Sequence, residues 1–334
     1  MAKNVKNEHY VPRRYLKHFA QNKAFYVFDK EKKQARPGSI EDYACERYFY
    51  DVDFEALKAD KLKQDPNFEF APEIEKFMET VDEQHIEKWL GDNVENKLFD
   101  PIEKIITSYM MVNPQKIETI EVLDENDLDN LALYIAIQMI RSKEFRDFLV
   151  EMNERLPLLL LKKVAMQNKD KSKLEQLKDV QLKISSKNHE KLLHAQFLMD
   201  EEFISHISEL LRNKIWVIGY NQTGEDFLTS DNPVVRYGWK EEHGLNSVGI
   251  EIMFPISPKL IICIRDPEYF CYEAYFHKHF VKVDVNEVDY YNSFQVLQSY
   301  RYVFSKNSKF DKVCDIIKRR PELSDINRDK ILMI

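Results

Sequence analysis

The sequence predicts an α+β fold, with a helical middle packed against a mainly antiparallel β-sheet built from N- and C-terminal segments. Two patterns carry this reading. Aromatic and β-branched runs of strand length stand towards both ends, as in Ala24-Phe25-Tyr26-Val27-Phe28 and in the stretch 260–264. Between them, over about 73–213, apolar residues recur at helical spacing, as Ile86, Leu90, Val94 and Leu98 do.

The stretch His9-Tyr10-Val11-Pro12-Arg13-Arg14-Tyr15-Leu16-Lys17-His18-Phe19 holds the first helix, because proline suits a first turn whose N–H has no intrahelical partner. Pro12, Tyr15, Leu16 and Phe19 share its apolar face. The run 24–28 is a strand or hairpin arm, and Arg36-Pro37-Gly38-Ser39 a turn. Tyr48-Phe49-Tyr50 is a second aromatic arm able to pair with the first, followed by an extended loop to about Pro72. Helices are expected over about 73–109, bent or divided at Gly91 and Pro101, and over about 125–151, with a further pair within 156–213. The stretch 162–187 mixes many charges and reads as an exposed helix or connection with a solvated face. Past Lys214 come short strands at 215–220, 227–229, 250–254 and 260–264, then a helix over 285–300, a strand over 301–304 and a terminal helix over 309–319. The whole chain, 1–334, is expected to be one domain, with a helical subregion over about 73–213 and a β-rich one over about 214–320.

Composition narrows the function classes. No apolar run approaches the roughly 18 to 20 residues of a membrane span, and no signal-peptide pattern follows the first lysines. A cytoplasmic protein with no membrane partner is expected. Cys45, Cys263, Cys271 and Cys314 are widely spaced and read as free thiols. A net charge of −8 argues against indiscriminate binding to nucleic-acid backbones, although a local basic groove is compatible with it. The chain has 7 glycines and neither G-x-x-x-x-G-K nor G-x-G-x-x-G, so no nicotinamide or P-loop nucleotide is expected. The absence of G-x-S-x-G counts against an ordinary α/β-hydrolase.

Three places carry candidate chemistry. His9 precedes a helix N-terminus, whose dipole disfavours imidazolium and leaves a neutral ring fit to act as a base or ligand. It can equally serve to bind a neighbouring loop. Gln138 and Arg141 lie on one helical face with Tyr134 and Phe145; a guanidinium there needs a partner if buried, with Glu87, Glu95 and Asp231 as candidates. An exposed Arg141 lying along the surface is the alternative. Ser230-Asp231-Asn232-Pro233 must turn after a strand, and Asp231 either caps that turn or projects into a cleft to orient His9 or hold a metal.

Other patterns fail on geometry. His189 and His194 are five apart, which turns them roughly 140° apart on a helix, unlike a zinc-protease pair. Asp231 and Glu251 suggest a restriction-type nuclease, yet Met253 stands where a lysine is needed. Cys263, Cys271, His277 and His279 have the chemistry of zinc ligands but lack tight spacing.

The His-aromatic-Val-Pro opening with Tyr15-Leu16 and Phe19 resembles the bacterial family catalogued as domain of unknown function 4238. So do Gln138 and Arg141, Ser230-Asp231-Asn232-Pro233-Val234, Phe254-Pro255-Ile256-Ser257-Pro258-Lys259, and the stretch from Asn286 to Asn292 leading to Arg301-Tyr302-Val303-Phe304-Ser305. The resemblance covers nearly the whole chain. It implies a shared site that includes Ser230, Asn232 and Asn292 as supports, and a weak association with phage-defence or toxin-like inventories. Two classes follow. One is a hydrolase, nuclease- or phosphodiesterase-like, acting on a nucleotide or nucleic-acid substrate with or without a divalent metal. Its His9 is base or ligand, Asp231 the orienter and Arg141 the stabiliser of negative charge. The other is a non-catalytic sensor or protein-interaction module in which the same residues hold the N-terminal segment to the core.

Overall fold

The computed structural model describes residues 6–80, 84–113, 116–184 and 186–330. The chain opens with β1 (Asn7–His9) and α1 (Arg13–Leu16), which continues as a tight turn over Lys17–Phe19. Strands β2 (Ala24–Asp29), β3 (Gln34–Ser39) and β4 (Cys45–Arg47) follow. β1 pairs antiparallel with β4, setting His9 opposite Cys45. The expected turn at 36–39 lies instead inside β3, where Pro37 faces Tyr26 of β2. This costs no ladder bond that matters, because β3 is the edge of its sheet and proline's missing N–H can point outwards. Tyr48-Phe49-Tyr50 is no strand either: Tyr48 has a φ of 54°, which ends extended pairing and turns Phe49 and Tyr50 into the core.

The middle is helical, as α2 (Phe54–Gln64), α3 (Pro72–Thr80), α4 (His85–Trp89), α5 (Asp100–Met111), α6 (Glu125–Ile140), α7 (Lys143–Gln167), α8 (Lys171–Gln176), α9 (Lys187–Leu198) and α10 (Glu201–Arg212). α2 occupies the stretch expected to be an extended loop, started by Asp53, whose side chain accepts from Ala56 N. The expected helix over 125–151 is two helices. Ser142 leaves the helical conformation and its hydroxyl caps Phe145 N, so α7 starts afresh where α6 stops. α6 begins with a reciprocal capping box of Asp124 and Asp127 and buries Leu128, Leu131, Ala132, Ile135 and Ile140.

The C-terminal part holds β5 (Ile215–Asn221), β6 (Thr229–Ser230), β7 (Val235–Gly238), β8 (Ile250–Ser257), β9 (Leu260–Arg265), β10 (Phe280–Val283), α11 (Val285–Gln298), β11 (Tyr302–Ser305) and α12 (Asp311–Arg319). A five-stranded sheet runs β10-β5-β9-β8-β7, antiparallel except for the β10–β5 pair. A four-stranded antiparallel sheet runs β3-β2-β11-β6 and so joins the two ends of the chain. All seven residues of β5 are buried, as a central strand covered on both faces requires. One apolar cluster runs from Tyr10, Tyr15 and Phe19 through α6 to Phe254 and Phe304. Within it the Tyr15 ring stacks on Phe254 at 5.1 Å, and its hydroxyl donates to the Pro255 carbonyl at 2.6 Å. The fold is α+β.

Candidate functional site

Arg141 is the hub where β1, the loop after β4 and α6 meet. The break between α6 and α7 leaves it at the end of a helix, 1% exposed, with its guanidinium turned towards β1. Nη2 donates to the His9 carbonyl at 2.6 Å, Nη1 to Glu95 Oε1 at 3.1 Å and Nε to the Tyr50 hydroxyl at 3.4 Å. Burial works against its charge, but Tyr50, Glu95 and Glu87 outweigh it and hold the guanidinium protonated. Gln138, one turn earlier, donates to the Tyr10 carbonyl at 3.0 Å, while its Oε1 is buried without a partner. Of the three candidate partners for Arg141, Glu95 makes the ion pair and Glu87 acts through space.

His9 is 7% exposed, and its Nε2 donates to the Ile40 carbonyl at 3.2 Å. Burial, with Arg13 and Arg141 adding to it, lowers the ring to about 4. The imidazole is therefore neutral at physiological pH. Its neighbour Glu8 is fully buried and accepts from Tyr50 N at 2.6 Å and from Gln84 Nε2 at 3.3 Å. Burial first, then a hydrogen bond with Asp51, pushes Glu8 up to about 8. Burial likewise raises Glu87 to about 7 although Arg141 pulls it down. Glu87 Oε2 and Asp51 Oδ1 are both buried with no hydrogen-bond partner. Burial thus favours the protonated form of both Glu8 and Glu87 towards neutral pH.

Asp231 lies in a different place in the hydrogen-bond network. It follows β6, is fully buried, and accepts from three successive amides, Tyr300, Arg301 and Tyr302, each at 2.8 Å. Burial raises its carboxyl to about 6, against the pull of the Tyr302 amide and of Lys30. Its hydrogen bonds go to the backbone ahead of β11, while that of the His9 ring goes to Ile40. The supports do the same work. Ser230 Oγ donates to Gln295 Oε1 at 2.8 Å, Asn232 Nδ2 to the Gln298 carbonyl at 2.9 Å, and Asn292 receives Leu228 N at 2.7 Å. Together they stitch α11 to the segment around β6.

The metal candidates are not gathered. Cys263 is buried on β9 and Cys271 is exposed; His277 Nδ1 accepts from Trp216 N, and His279 Nδ1 sits 2.7 Å from the His277 carbonyl. Among the described residues no group of three or more His, Cys, Asp or Glu side chains is arranged to hold a metal ion. Two grooves, about 370 Å³ beside α7 and about 550 Å³ between α11 and α12, are not lined by His9, Arg141 or Asp231.

A family model described as protein of unknown function (DUF4238) matches residues 7–309, most of the chain. The chain belongs to the DUF4238 family. No curated protein and no solved structure matches it significantly.

Sequence reasoning missed several members of this network. Glu8 stands beside His9, and no pattern in the sequence singles it out. Arg146, 7% exposed, lies 3.5 Å over the Phe49 ring and donates to the Phe49 carbonyl at 2.8 Å and to His194 Nδ1 at 3.1 Å. His194 passes the chain of bonds on from Nε2 to the Ile140 carbonyl at 2.8 Å. Arg141 and Arg146 flank the break between α6 and α7, so no helical period relates them in the sequence. Lys30 is fully buried, donates to the carbonyls of Val296 and Ser299, and is lowered to about 7 by burial.

Proposed function

We propose that this protein works by binding, as a sensor or protein-interaction module, and that His9, Arg141 and Asp231 are structural. The three-amide clasp on Asp231 is the observation that supports this most. The carboxylate is fully buried and its two oxygens hold the backbone of residues 300–302. A group that must orient a base or hold a metal needs lone pairs directed at that partner. Arg141 follows the same logic, since its shortest bond goes to a main-chain carbonyl.

One observation favours the hydrolase reading, with nuclease- or phosphodiesterase-like chemistry in a phage-defence or toxin-like setting. Burial keeps the His9 ring neutral, as a general base requires, with a guanidinium on its own carbonyl. A screen of the full chain against nucleotides, RNA and DNA with Mg²⁺, Mn²⁺ or Zn²⁺ separates the two. The binding reading expects an inert parent and a His9→Gln variant altered in stability alone. Activity in the parent that disappears in folded His9→Gln would replace it with the hydrolase reading.

A further inference from the structure

The second half of α7 stands away from the core and exposes Leu156, Leu159, Leu160, Leu161, Val164 and Met166, each 42% to 62% accessible. Leu156, Leu160 and Val164, at intervals of four, form one continuous ridge. A continuous exposed aliphatic ridge marks a contact site. The surrounding chain is basic. Residues 155–187 hold nine Lys or Arg and three Asp or Glu, net +6, in a chain of net −8, so the remainder carries −14. The ion pairs of this stretch among the described residues are Arg155 with Glu151 and Asp329, and Lys178 with Glu175. Lys162, Lys163, Lys169, Lys171, Lys173 and Lys183 form no ion pair among the described residues.

We propose that this helical arm docks on the surface of an anionic lipid bilayer. The leucine ridge enters the boundary between headgroups and acyl chains, Lys163 beside Leu160 reaches past it to the lipid phosphates, and the other lysines of the arm add to the attraction. Charge decides the occupant. A second copy of the chain meeting this patch through a two-fold interface would set +6 against +6, which repels, whereas an anionic leaflet attracts the arm and repels the acidic remainder. That combination also fixes orientation, with the body held outward. No helix among the described residues is long and apolar enough to cross the bilayer, so the contact is peripheral.

The test is co-sedimentation of the full chain with vesicles of phosphatidylcholine alone and of phosphatidylcholine mixed with phosphatidylglycerol. Partitioning should be at least roughly tenfold stronger on the anionic vesicles and weaken as salt rises. Lys163→Gln should lower it by roughly fivefold. Leu160→Ser with Val164→Ser should remove it while circular dichroism stays that of the parent. Equal binding to both vesicle types, or binding indifferent to these substitutions, overturns the proposal. So does absence of vesicle binding combined with a dimer, in sedimentation velocity, that the double serine variant dissolves; that result assigns the ridge to self-association.

Discussion

Arg141 donates to the main-chain carbonyl of His9 at 2.6 Å across 132 residues of sequence, so the guanidinium grips the N-terminal strand by its backbone. The identity of the His9 side chain is irrelevant to that bond. What matters is that β1 runs where the carbonyl can be reached.

Arg141→Ala should destabilise the fold by about 3 to 5 kcal/mol, because Glu95 and the His9 carbonyl both lose a buried cationic partner. Arg141→Lys should recover only part of this, since an ammonium cannot span the three acceptors that the planar fork reaches. Urea denaturation of the three proteins measures the series; a loss under about 1 kcal/mol in Arg141→Ala would remove Arg141 from the hub.

Asp231→Asn keeps the shape of the side chain but turns an amide NH₂ towards a backbone N–H that had an acceptor. We expect a loss of about 1.5 to 3 kcal/mol, the range for hydrogen bonds to a charged group. Amide hydrogen exchange should speed up first at residues 300–302, and unchanged protection there would show that the clasp is dispensable.

The pH profile should have two limbs of opposite origin. His9 is lowered from 6.5 to about 4 in the folded protein, so the unfolded chain binds more protons between those values and stability falls as pH drops through them. Glu8 and Glu87 are raised from 4.5 to about 8 and about 7, so the folded protein binds more protons above pH 4.5 and stability falls as pH rises towards 8. Melting temperature followed against pH should therefore lose part of its acid limb in His9→Gln and part of its alkaline limb in Glu8→Gln. Parallel curves for parent and variant would contradict the assignment.

Removing residues 1–20 should abolish soluble folding, because Tyr10, Val11, Tyr15, Leu16 and Phe19 all lie in the main core and β4 would lose its partner strand. Expression with a solubility tag and calorimetry tests this. A truncated protein melting at the parent temperature would mean that the core closes without its N-terminal segment.

Much of the architecture was legible because it rests on local pattern. β2, β5, β8, β9 and α11 stand within a few residues of where their apolar periods place them. The pairing of Gln138 and Arg141 on one face was readable for the same reason. The failures have physical causes. Pro37 and Gly38 mark turns by default, and only their edge position in the sheet makes a strand of them. Asp231 was legible as a turn former, but the amides that donate to it are seventy residues on, and main-chain amides leave no trace in residue identities. Glu8 was illegible because nothing in a glutamate's neighbours announces that Asp51 and Gln84 will close over it.

Glu95 reaches Arg141 through an unusual piece of helix: Leu90–Glu95 winds as a π turn, with Asn96 N bonded to the Gly91 carbonyl at 3.2 Å. Such a turn holds one residue more than an α turn. Deleting one residue of 90–94 would let the backbone relax into a regular helix, and because the residue lost is the extra one that the wide turn holds, Glu95 would keep roughly its direction relative to α4. The ion pair is thus buffered against a change of length at this one place. The same deletion within the regular turns of α5 or α6 would swing every later side chain by about 100° and break the contacts those helices make.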